Sequence, residues 1–326
     1  MNHVSRVLQT ESANIACESK VWAVVVTHDP KPDFEQNVRA LIPQVKRVII
    51  VDNQSSPAIQ QFIARVASAY NSEIIWSQQN LGIASALNTG VELALAGDAC
   101  QWILMLDQDS RVPPDFVANM FNAYESCSFK DKVALIGANY QLAFRPLRTT
   151  GPGEDALIFR EVKTLMTSGT LAKRSVFADC GTFDESFFMD YVDHEFCFRV
   201  RCHGLRIIQA NNAILQHRLG SPTLHRILGR HFVTANYSSN RRYHQARNRL
   251  VFYRRYFCTD PFWVVSDVFK WFREILKMIM VERDRKMKLA CIARGVWDGV
   301  SVSKWSDWQN DANAPPPGSA AARKNQ

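Results

Sequence analysis

The stretch Trp102-Ile103-Leu104-Met105-Leu106-Asp107-Gln108-Asp109-Ser110 decides the fold class. It opens with an apolar run typical of a strand buried on both faces of a parallel sheet. It then places Asp107 and Asp109 at the end of that strand, which is the edge where open α/β sheets bind ligands. Two carboxylates separated by one residue suit Mg²⁺ or Mn²⁺ held against a diphosphate. The alternative is a strand end followed by an Asx turn that binds no ligand. The motifs in the rest of the chain are needed to distinguish these two interpretations.

The chain of 326 residues has the composition of a globular protein, with 47% hydrophobic and 21% charged residues. Its formal net charge of +8 is concentrated in the last third. From Arg218 onward there are 20 Lys and Arg against 8 Asp and Glu, whereas the residues before it carry 19 against 23. An acidic body followed by a basic, aromatic C-terminal third predicts contact with something anionic. Phospholipid head groups, nucleic acid and a phosphorylated acceptor all qualify.

The cysteines and the N-terminus indicate the compartment. The 8 cysteines are scattered and form no CxxC pair, which fits neither a zinc framework nor a disulfide scaffold and favours a reducing cytosol. The first twenty residues lack the apolar core that a signal peptide needs. We therefore expect the activity on the cytoplasmic side.

Strands and helices alternate along the first part of the chain. Residues 22–27 and 48–51 are β-branched runs, and the second of them delivers Asp52 at its end. Apolar residues at helical spacing follow each run, at about 33–45 and 58–69. This alternation predicts right-handed βαβ units and a parallel sheet.

Glycine is absent before Gly82, so no glycine-rich loop follows the first strand. This counts strongly against nicotinamide or flavin dehydrogenases and P-loop ATPases, and it disfavours sugar-nucleotide pyrophosphorylases. The segment Asn80–Gly90 opens a helix whose N-terminal N–H groups suit a diphosphate. In the alternative, Gly82 only begins a helix, while Asn88 and Gly90 only accommodate packing.

A second, denser carboxylate cluster lies within residues 183–199. A helix beginning near Asp190 would place Asp190 and Asp193 on one face. Phenylalanines and Tyr191 surround Asp193, and a partly desolvated carboxylate has a raised pKa, which suits a general base. The structural alternative is that acidic residues in a first helical turn are favoured by the helix dipole alone.

Two further strand ends carry candidate ligands. A predicted strand returns to a turn at Ser168 and Gly169, where the backbone can approach a ligand closely. Short strands are predicted at 205–209 and 213–217, and the second ends at His217. A lone histidine is usually structural, but at a strand end near a metal His217 is a reasonable third ligand.

The C-terminal third predicts basic, amphipathic helices. Residues 243–256 are a basic aromatic segment, and residues 261–281 have a polar stripe opposite a broad apolar face with tryptophans. The charges within 261–281 argue against a membrane-spanning helix. The pattern is typical of an interfacial helix on a membrane surface, with packing on the rest of the protein as an equal alternative. Nucleic-acid binding is the weaker interpretation, because phosphate contacts would leave the apolar face uncovered.

In their order and spacing these motifs resemble inverting glycosyltransferases of family 2, and above all bacterial rhamnosyltransferases that use dTDP-L-rhamnose. The resemblance covers roughly residues 21–298. It rests on the segments Val25–Pro30, Val51–Asn53, Asn80–Ala84, Leu106–Ser110, Thr167–Gly169, Phe187–Glu195, Arg247–Arg249 and Gly295–Gly299. It implies the GT-A fold, an α/β domain with a mostly parallel sheet flanked by helices, followed by a C-terminal amphipathic helical region.

The resemblance also implies a domain organisation. An N-terminal extension (1–20) precedes a GT-A glycosyltransferase domain (21–240). A basic amphipathic helical region (241–310) follows, which is the part expected to contact a membrane surface. The tail (311–326) contains three prolines in a row and is expected to be disordered.

Catalytic and metal-binding roles follow from the resemblance at matching positions. Asp193 is the implied catalytic base; Asp190 is the reserve, because many relatives have Glu-Asp where this chain has Val192-Asp193. Asp109 would coordinate Mg²⁺ or Mn²⁺ on the diphosphate. Asp107 would contact the ribose or a metal-bound water, and His217 is a further candidate metal ligand.

The resemblance implies a nucleotide-sugar site as well. Asp52 would accept a hydrogen bond from thymine N3–H. The other implied contacts with the nucleotide-sugar are Thr27, Asn80, Gly82, Asn88, Asp107, Ser168, Gly169 and Arg247.

The implied reaction moves L-rhamnose from dTDP-L-rhamnose to an acceptor hydroxyl in one metal-dependent displacement that inverts configuration. We expect the acceptor to be a lipid-linked saccharide of the cell envelope, of the O-antigen type, at the inner face of the cytoplasmic membrane. One alternative is a rhamnolipid rhamnosyltransferase that adds a second rhamnose to a glycolipid. Another is a catalytically silent sugar-nucleotide-binding subunit of an envelope assembly complex. No nucleic acid beyond the nucleotide donor is expected.

Overall fold

The computed structural model describes residues 19–142, 157–217, 223–227 and 230–301. Residues 1–18 of the predicted extension and the predicted tail at 311–326 lie outside the described residues. The strands are β1 (Val21–Thr27), β2 (Arg47–Asp52), β3 (Glu73–Trp76), β4 (Trp102–Asp107), β5 (Val133–Leu142), β6 (Phe159–Glu161), β7 (Thr170–Lys173), β8 (Arg206–His217), β9 (Thr223–Ile227) and β10 (Arg230–Thr234). The helices are α1 (Phe34–Leu41), α2 (Pro57–Ala69), α3 (Gly82–Ala96), α4 (Phe116–Glu125), α5 (Arg174–Cys180), α6 (Val192–Cys202), α7 (Ser239–Tyr256), α8 (Pro261–Val281) and α9 (Arg285–Ser301).

An 8-stranded sheet has the order β3-β2-β1-β4-β7-β5-β8-β6. Strands β3, β2, β1 and β4 run parallel to one another, as the βαβ pattern predicts. Strand β7 runs antiparallel to both of its neighbours, β5 and β8 are parallel, and β6 is an antiparallel edge strand. The predicted α/β class with a sheet flanked by helices is confirmed, and the sheet is mixed.

Close packing of α3 on the sheet explains one of its glycines. A Cβ added at Gly90 would lie 2.4 Å from Cγ1 of Val24 on β1 and 3.0 Å from Cγ2 of Val51 on β2. Both valines are buried within the parallel strands. Gly90 therefore has the packing role that the alternative interpretation gave it.

Two strand predictions need correction. The strands predicted at 205–209 and 213–217 are one strand, β8, whose pairing with β5 contains a register shift beyond Gly137. The strand predicted to lead into Ser168 and Gly169 is absent, and β7 begins only after that turn, at Thr170. The apolar signal there came from Leu165, which is buried over Gly137 without being part of a strand.

The chain divides into two compact units. The first contains the described residues up to Phe183 and those from Phe196 to the end of β8, and it includes the 8-stranded sheet. The second contains Asp184–Glu195 and the described residues beyond 222, with the β9–β10 hairpin and the helices α7, α8 and α9. The predicted domain boundary at 240/241 stays a prediction.

The second unit has a small core of its own. Ala246 of α7, Met278 of α8 and Ile292 of α9 are its buried centre. Helix α9 approaches α7 closely at two glycines, because a Cβ at Gly295 or Gly299 would lie 2.4 or 2.8 Å from a backbone oxygen of α7. The three helices therefore pack around one small core.

Candidate active site

Polar residues from three neighbouring parallel strands lie at one edge of the sheet. The register pairs Thr27 of β1 with Asp52 of β2, and Val26 of β1 with Asp107 of β4. Because the carboxyl ends of parallel strands share one edge, the sheet brings together Thr27, Asp52 and Asp107.

Asp52 is fully buried and is held by donors from its own surroundings. Its Oδ1 accepts from the hydroxyl of Thr27 at 3.1 Å and from the hydroxyl of Ser55. Its Oδ2 accepts from the Ser55 N–H at 2.9 Å and from Gln60 Nε2 at 3.3 Å. A carboxylate offers about four acceptor positions, so these bonds satisfy it. Asp52 therefore fixes the loop after β2. Its contact with thymine stays a prediction, and it requires Asp52 to lose one of these four hydrogen bonds.

Two asparagines tie the loop before α3 to the loop after β2. Asn53 Nδ2 donates to Asn80 Oδ1 at 2.9 Å, and Asn53 Oδ1 accepts from the Leu81 N–H at 3.1 Å. Asn80 Oδ1 also accepts from the Gly82 N–H at 3.0 Å. Gly82 has a φ of +86°, in the left-handed region that favours glycine. Asn80 and Gly82 therefore belong to the same edge as Asp52, and the N–H of Gly82 is already bonded within the protein.

The carboxylates of Asp107 and Asp109 are half-buried at the end of β4. The Asp107 N–H donates to Ser168 Oγ at 3.0 Å, and the hydroxyl oxygens of Ser168 and Ser110 lie 2.6 Å apart. Ser168 is only 3% exposed, and Gly169 beside it has a φ of +78°. Ser168 and Gly169 thus fix the turn that carries the two carboxylates, and their direct contact with the donor stays a prediction.

Gln108 joins two loops through contacts that the sequence pattern did not predict. Its Oε1 accepts from the His28 N–H at 2.6 Å, and its Nε2 donates to the His28 backbone oxygen at 3.1 Å. His28 Nδ1 in turn lies 2.9 Å from the backbone oxygen of Asn53. The loops after β1, β2 and β4 are therefore joined at the edge. The only signal was an amide between two aspartates, which does not specify a partner 80 residues away.

Asn88 has a packing role. It is 4% exposed, its Nδ2 donates to the backbone oxygen of Phe183 at 2.9 Å, and its Oδ1 accepts from the Phe183 N–H at 2.8 Å. The contact of Asn88 with the donor stays a prediction, and it would require the amide to share or leave these backbone bonds.

Asp107 and Asp109 have the chemistry that the predicted metal needs. His217 is the last residue of β8, but its side chain lies outside the described residues. Within the described part of the chain, no group of three His, Cys, Asp or Glu residues is arranged to hold a metal. Mg²⁺ is usually held by one or two carboxylates, with water and substrate phosphates as the other ligands. Two half-buried carboxylates at a strand end fit such an ion.

In the second unit, Asp190 and Tyr191 form a left-handed turn ahead of α6. Their φ angles are +58° and +67°, which are costly for residues with a side chain. The helix α6 begins at Val192, two residues after Asp190, so Asp190 and Asp193 do not share the helix face that a start at Asp190 would have given them.

Two side chains of α7 hold this turn. Arg241 donates to both carboxylate oxygens of Asp190, with two bonds of 2.9 Å. Asn248 Nδ2 donates to the backbone oxygen of Met189 at 2.7 Å and to that of Asp190 at 3.2 Å. Asp190, the reserve candidate for the base, is thus an ion-paired anchor of the turn.

Asp267 of α8 is the third support of the turn. Its Oδ2 accepts from the hydroxyl of Tyr191, from the hydroxyl of Tyr253 at 2.7 Å and from Arg249 Nε at 3.0 Å. Burial alone would raise the pKa of Asp267, but the charge of Arg249 and these hydrogen bonds hold it below its ordinary value. Asp267 therefore stays ionised at neutral pH and anchors Tyr191.

The predicted base, Asp193, is paired with the residue that follows it. Its Oδ1 accepts from the His194 N–H at 2.8 Å and lies 2.8 Å from His194 Nδ1. Burial would raise the pKa of Asp193, but the charge and hydrogen bonds of His194 hold it below its ordinary value. Burial would lower the pKa of His194, but Asp193 raises it instead. The predicted raised pKa of Asp193 is wrong, because a cationic partner outweighs desolvation.

Arg247 of α7 is 5% exposed. The backbone of α7 at this position faces α9, since a Cβ at Gly299 would lie 2.8 Å from the Arg247 backbone oxygen. The contact of Arg247 with the nucleotide-sugar stays a prediction.

Comparison with known proteins places this geometry in a class. Residues 22–181 match the family model "Glycosyl transferase family 2". The chain is 27% identical over 255 residues to the dTDP-rhamnosyl transferase RfbF of Shigella flexneri, a match covering 73% of this chain and 81% of that protein. It is 23% identical over 202 residues to the low-salt glycan biosynthesis hexosyltransferase Agl10 of Haloferax volcanii, covering 57% of this chain and 63% of that one.

Solved structures give more distant likenesses. One is GalNAc-T7 with UDP, GalNAc and Mn²⁺, with a TM-score of 0.49 and 13% identity over 70% of this chain. Another is Staphylococcus aureus TarS 1–349 in complex with UDP, with a TM-score of 0.45 and 13% identity over 62% of this chain. These matches take in 47% of the GalNAc-T7 chain and 61% of the TarS chain, so this chain spans only about half of the first.

An α/β sheet with carboxylates at the end of a central parallel strand, together with the family model and the match to the dTDP-rhamnosyl transferase, identifies the protein as a glycosyltransferase. Residues 22–181 form a glycosyltransferase family 2 domain, and a bacterial dTDP-rhamnosyl transferase is among the relatives of the chain.

Proposed function

We propose that the protein transfers L-rhamnose from dTDP-L-rhamnose to a hydroxyl of a lipid-linked saccharide of the bacterial cell envelope, with inversion at the anomeric carbon. Among the relatives, the dTDP-rhamnosyl transferase of S. flexneri supports this donor, since the match extends over 81% of its length. The observation in the chain itself that carries the proposal is the pair of half-buried carboxylates, Asp107 and Asp109, at the end of β4.

The donor would lie along the carboxyl edge of β1, β2 and β4. Asp107 and Asp109 would hold Mg²⁺ or Mn²⁺, and such an ion neutralises the charge that develops on a departing diphosphate. Two sets of hydrogen bonds hold this edge in one arrangement before the donor binds. One joins Asn53 to Asn80, and the other joins Gln108 to the backbone of His28. A preformed edge loses little freedom on binding, which favours affinity and orientation.

For the acceptor half of the reaction we propose Asp193 as the base. Its carboxylate is side by side with His194, which keeps it ionised and ready to accept a proton. The attacking hydroxyl would give its proton to Asp193 as its oxygen bonds to the anomeric carbon and the dTDP leaves with the bonding electrons. The resemblance to family 2 supports this role at the matching position.

We place the reaction at the inner face of the cytoplasmic membrane. Lipid-linked acceptors are held there, and the basic C-terminal helices suit an anionic surface. The same proposal includes peripheral contact with that membrane.

The decisive experiment follows release of nucleoside diphosphate from a panel of dTDP-, UDP- and GDP-sugars with Mg²⁺ or Mn²⁺, with and without bacterial lipid extract. We expect release from dTDP-L-rhamnose, stimulated by the extract and abolished by EDTA. Asp109→Ala should abolish it too. The matched control is Asp98→Ala, an exposed aspartate in the turn that leads into β4 at its other end, which should leave release unchanged.

Release from UDP- or GDP-sugars instead would keep a glycosyltransferase and refute the rhamnose donor. Release that persists in EDTA and in Asp109→Ala would refute the metal role of the β4 carboxylates. A product from a glycolipid that already carries one rhamnose would move the acceptor to the rhamnolipid type.

A further inference from the structure

Helix α8 turns a row of large apolar side chains outward. Phe262 is 86% exposed, Phe269 67% and Phe272 59%. Other exposed apolar residues of the helix are Val265, Val268, Leu276 and Met280. At 3.6 residues per turn all of them fall on one side of α8. Among the described residues of the second unit, this face is therefore left uncovered.

Cations border this apolar face along one side. Lys270 and Arg273 are exposed, and helical spacing places them beside Phe262 and Phe269. The two acidic residues of α8 lie elsewhere, because Asp267 is buried and Glu274 pairs with Lys277. An apolar face with a cationic border is the pattern of a helix that lies in the interface of an anionic bilayer.

The side of α8 opposite the apolar face carries Asp267, which binds the hydroxyl of Tyr191. The turn ahead of Asp193 therefore rests on one side of the helix while Phe269 and its neighbours point away from the other. A helix with its side chains is about 10–12 Å across. A surface that covers the apolar face would thus lie about one helix diameter from the turn.

A second copy of the chain suits this face less well. Two such faces packed together would bring Lys270 and Arg273 of both copies into one interface without an acidic partner from α8. Burial of unpaired like charges opposes association. At a bilayer the same cations reach anionic head groups while the phenylalanines enter the acyl boundary. Among the described helices none is long and apolar enough to cross a membrane, so α8 would lie on the bilayer.

We infer that α8 docks on an anionic phospholipid bilayer through Phe262, Phe269 and Phe272. In this position α8 holds the turn ahead of Asp193, the proposed base, about one helix diameter above the lipid surface. This rests on the proposed function for the role of Asp193. Docking of α8 restricts the acceptor to molecules that are anchored in that bilayer and whose reacting hydroxyl lies close to the head groups.

Flotation of the full-length protein with vesicles tests the docking without requiring turnover. We expect binding to vesicles that contain phosphatidylglycerol and little binding to pure phosphatidylcholine. Phe269→Glu should weaken binding at least about tenfold, because it removes an apolar side chain from the acyl boundary. Lys270→Gln should weaken it about fivefold, and only for the anionic vesicles. Leu157→Glu, at a 51% exposed leucine of the first unit, is the matched control and should bind like the wild type.

Each other outcome overturns the inference. Failure of the wild-type protein to float with anionic vesicles would refute the docking of α8 on phospholipid. A dimer in light scattering that Phe269→Glu converts to a monomer would assign the face to a second copy. Binding of dTDP, measured by calorimetry on the same variants, reports the donor site separately, so docking and the proposed function can fail independently.

Discussion

His194 decides the charge of Asp193. Burial of Asp193 would favour the neutral acid, as the sequence suggested, yet the pKa of Asp193 is lowered because His194 supplies two donors to Oδ1. The pair contributes most to stability where both members are charged. The contribution of Asp193 is lost as the pH falls through its lowered pKa, and that of His194 is lost as the pH rises through its raised pKa. The pair therefore stabilises the fold fully between the ordinary values of 3.8 and 6.5.

Replacement of His194 by glutamine should move the acid limb of the pH profile of kcat/KM to higher pH. Without the imidazolium, burial dominates and the pKa of Asp193 rises, so the base becomes protonated earlier as the pH falls. Steady-state rates with dTDP-L-rhamnose across pH measure the limb. His203→Gln changes an exposed histidine outside the pair and should leave the limb in place. An unmoved limb in His194→Gln would exclude Asp193 as the group that titrates there.

Asp52→Asn should destabilise the fold by about 2 kcal/mol, because an amide cannot accept from all four donors that surround this buried carboxylate. Chemical denaturation followed by circular dichroism measures the loss, and Asp98→Asn is the exposed control. Wild-type stability in Asp52→Asn would show that these internal bonds contribute little, leaving the contact with thymine as the main role of Asp52.

At the scale of elements, the left-handed turn at Asp190 and Tyr191 depends on α7 and α8. Its strain is offset by the Arg241 ion pair, by Asn248 and by Asp267, none of which is close in sequence. These supports fix where α6 starts and therefore where Asp193 lies. A position held in this way is sensitive to small changes in its supports.

Tyr191→Phe should lower kcat about tenfold while leaving the dissociation constant of dTDP unchanged, since one hydrogen bond to a charged group is lost from the turn. Tyr253→Phe is the matched control, because Tyr253 donates to the same carboxylate oxygen without being part of the turn. Equal losses of kcat in the two variants would show that the whole Asp267 cluster, and not its link to the turn, matters for the rate.

At the scale of the whole molecule, donor binding should raise the stability of the folded chain. Ligand at 100 times its dissociation constant adds about 2.7 kcal/mol. We expect dTDP with Mg²⁺ to raise the Tm and dTDP with EDTA to raise it much less. In Asp109→Ala the two conditions should give the same Tm, whereas Asp98→Ala should behave as the wild type. Differential scanning calorimetry distinguishes these outcomes, and a metal-dependent rise that persists in Asp109→Ala would contradict the proposed ligand.

The first half of the fold was predictable because buried parallel strands are continuous apolar runs. Those runs located β1, β2 and β4, and with them the edge that carries Asp52 and Asp107. Strand β8 was predicted as two pieces because a register shift against β5 interrupts its apolar pattern.

The sequence shows that carboxylates are concentrated within residues 183–199, but it does not predict how their side chains are arranged. The start of α6 depends on Arg241 and Asp267, which lie 51 and 76 residues from their partners. Whether the pKa of Asp193 is raised or lowered depends on the orientation of the His194 imidazole. The exposure of the apolar face of α8 depends on what packs against it, which an amphipathic pattern alone does not specify.

The indole of Trp263 gives the His194–Asp193 pair an optical signal. Its ring centroid lies 5.3 Å from that of His194, and the two planes meet at 73°. A protonated imidazole at this distance attracts the indole π-system and quenches its emission. Fluorescence of Trp263 should therefore brighten as His194 loses its proton, at a pH above 6.5 because the pKa of His194 is raised. The difference between the emission of the wild type and of Trp263→Phe would follow the ionisation of the pair in solution, with neither donor nor acceptor present.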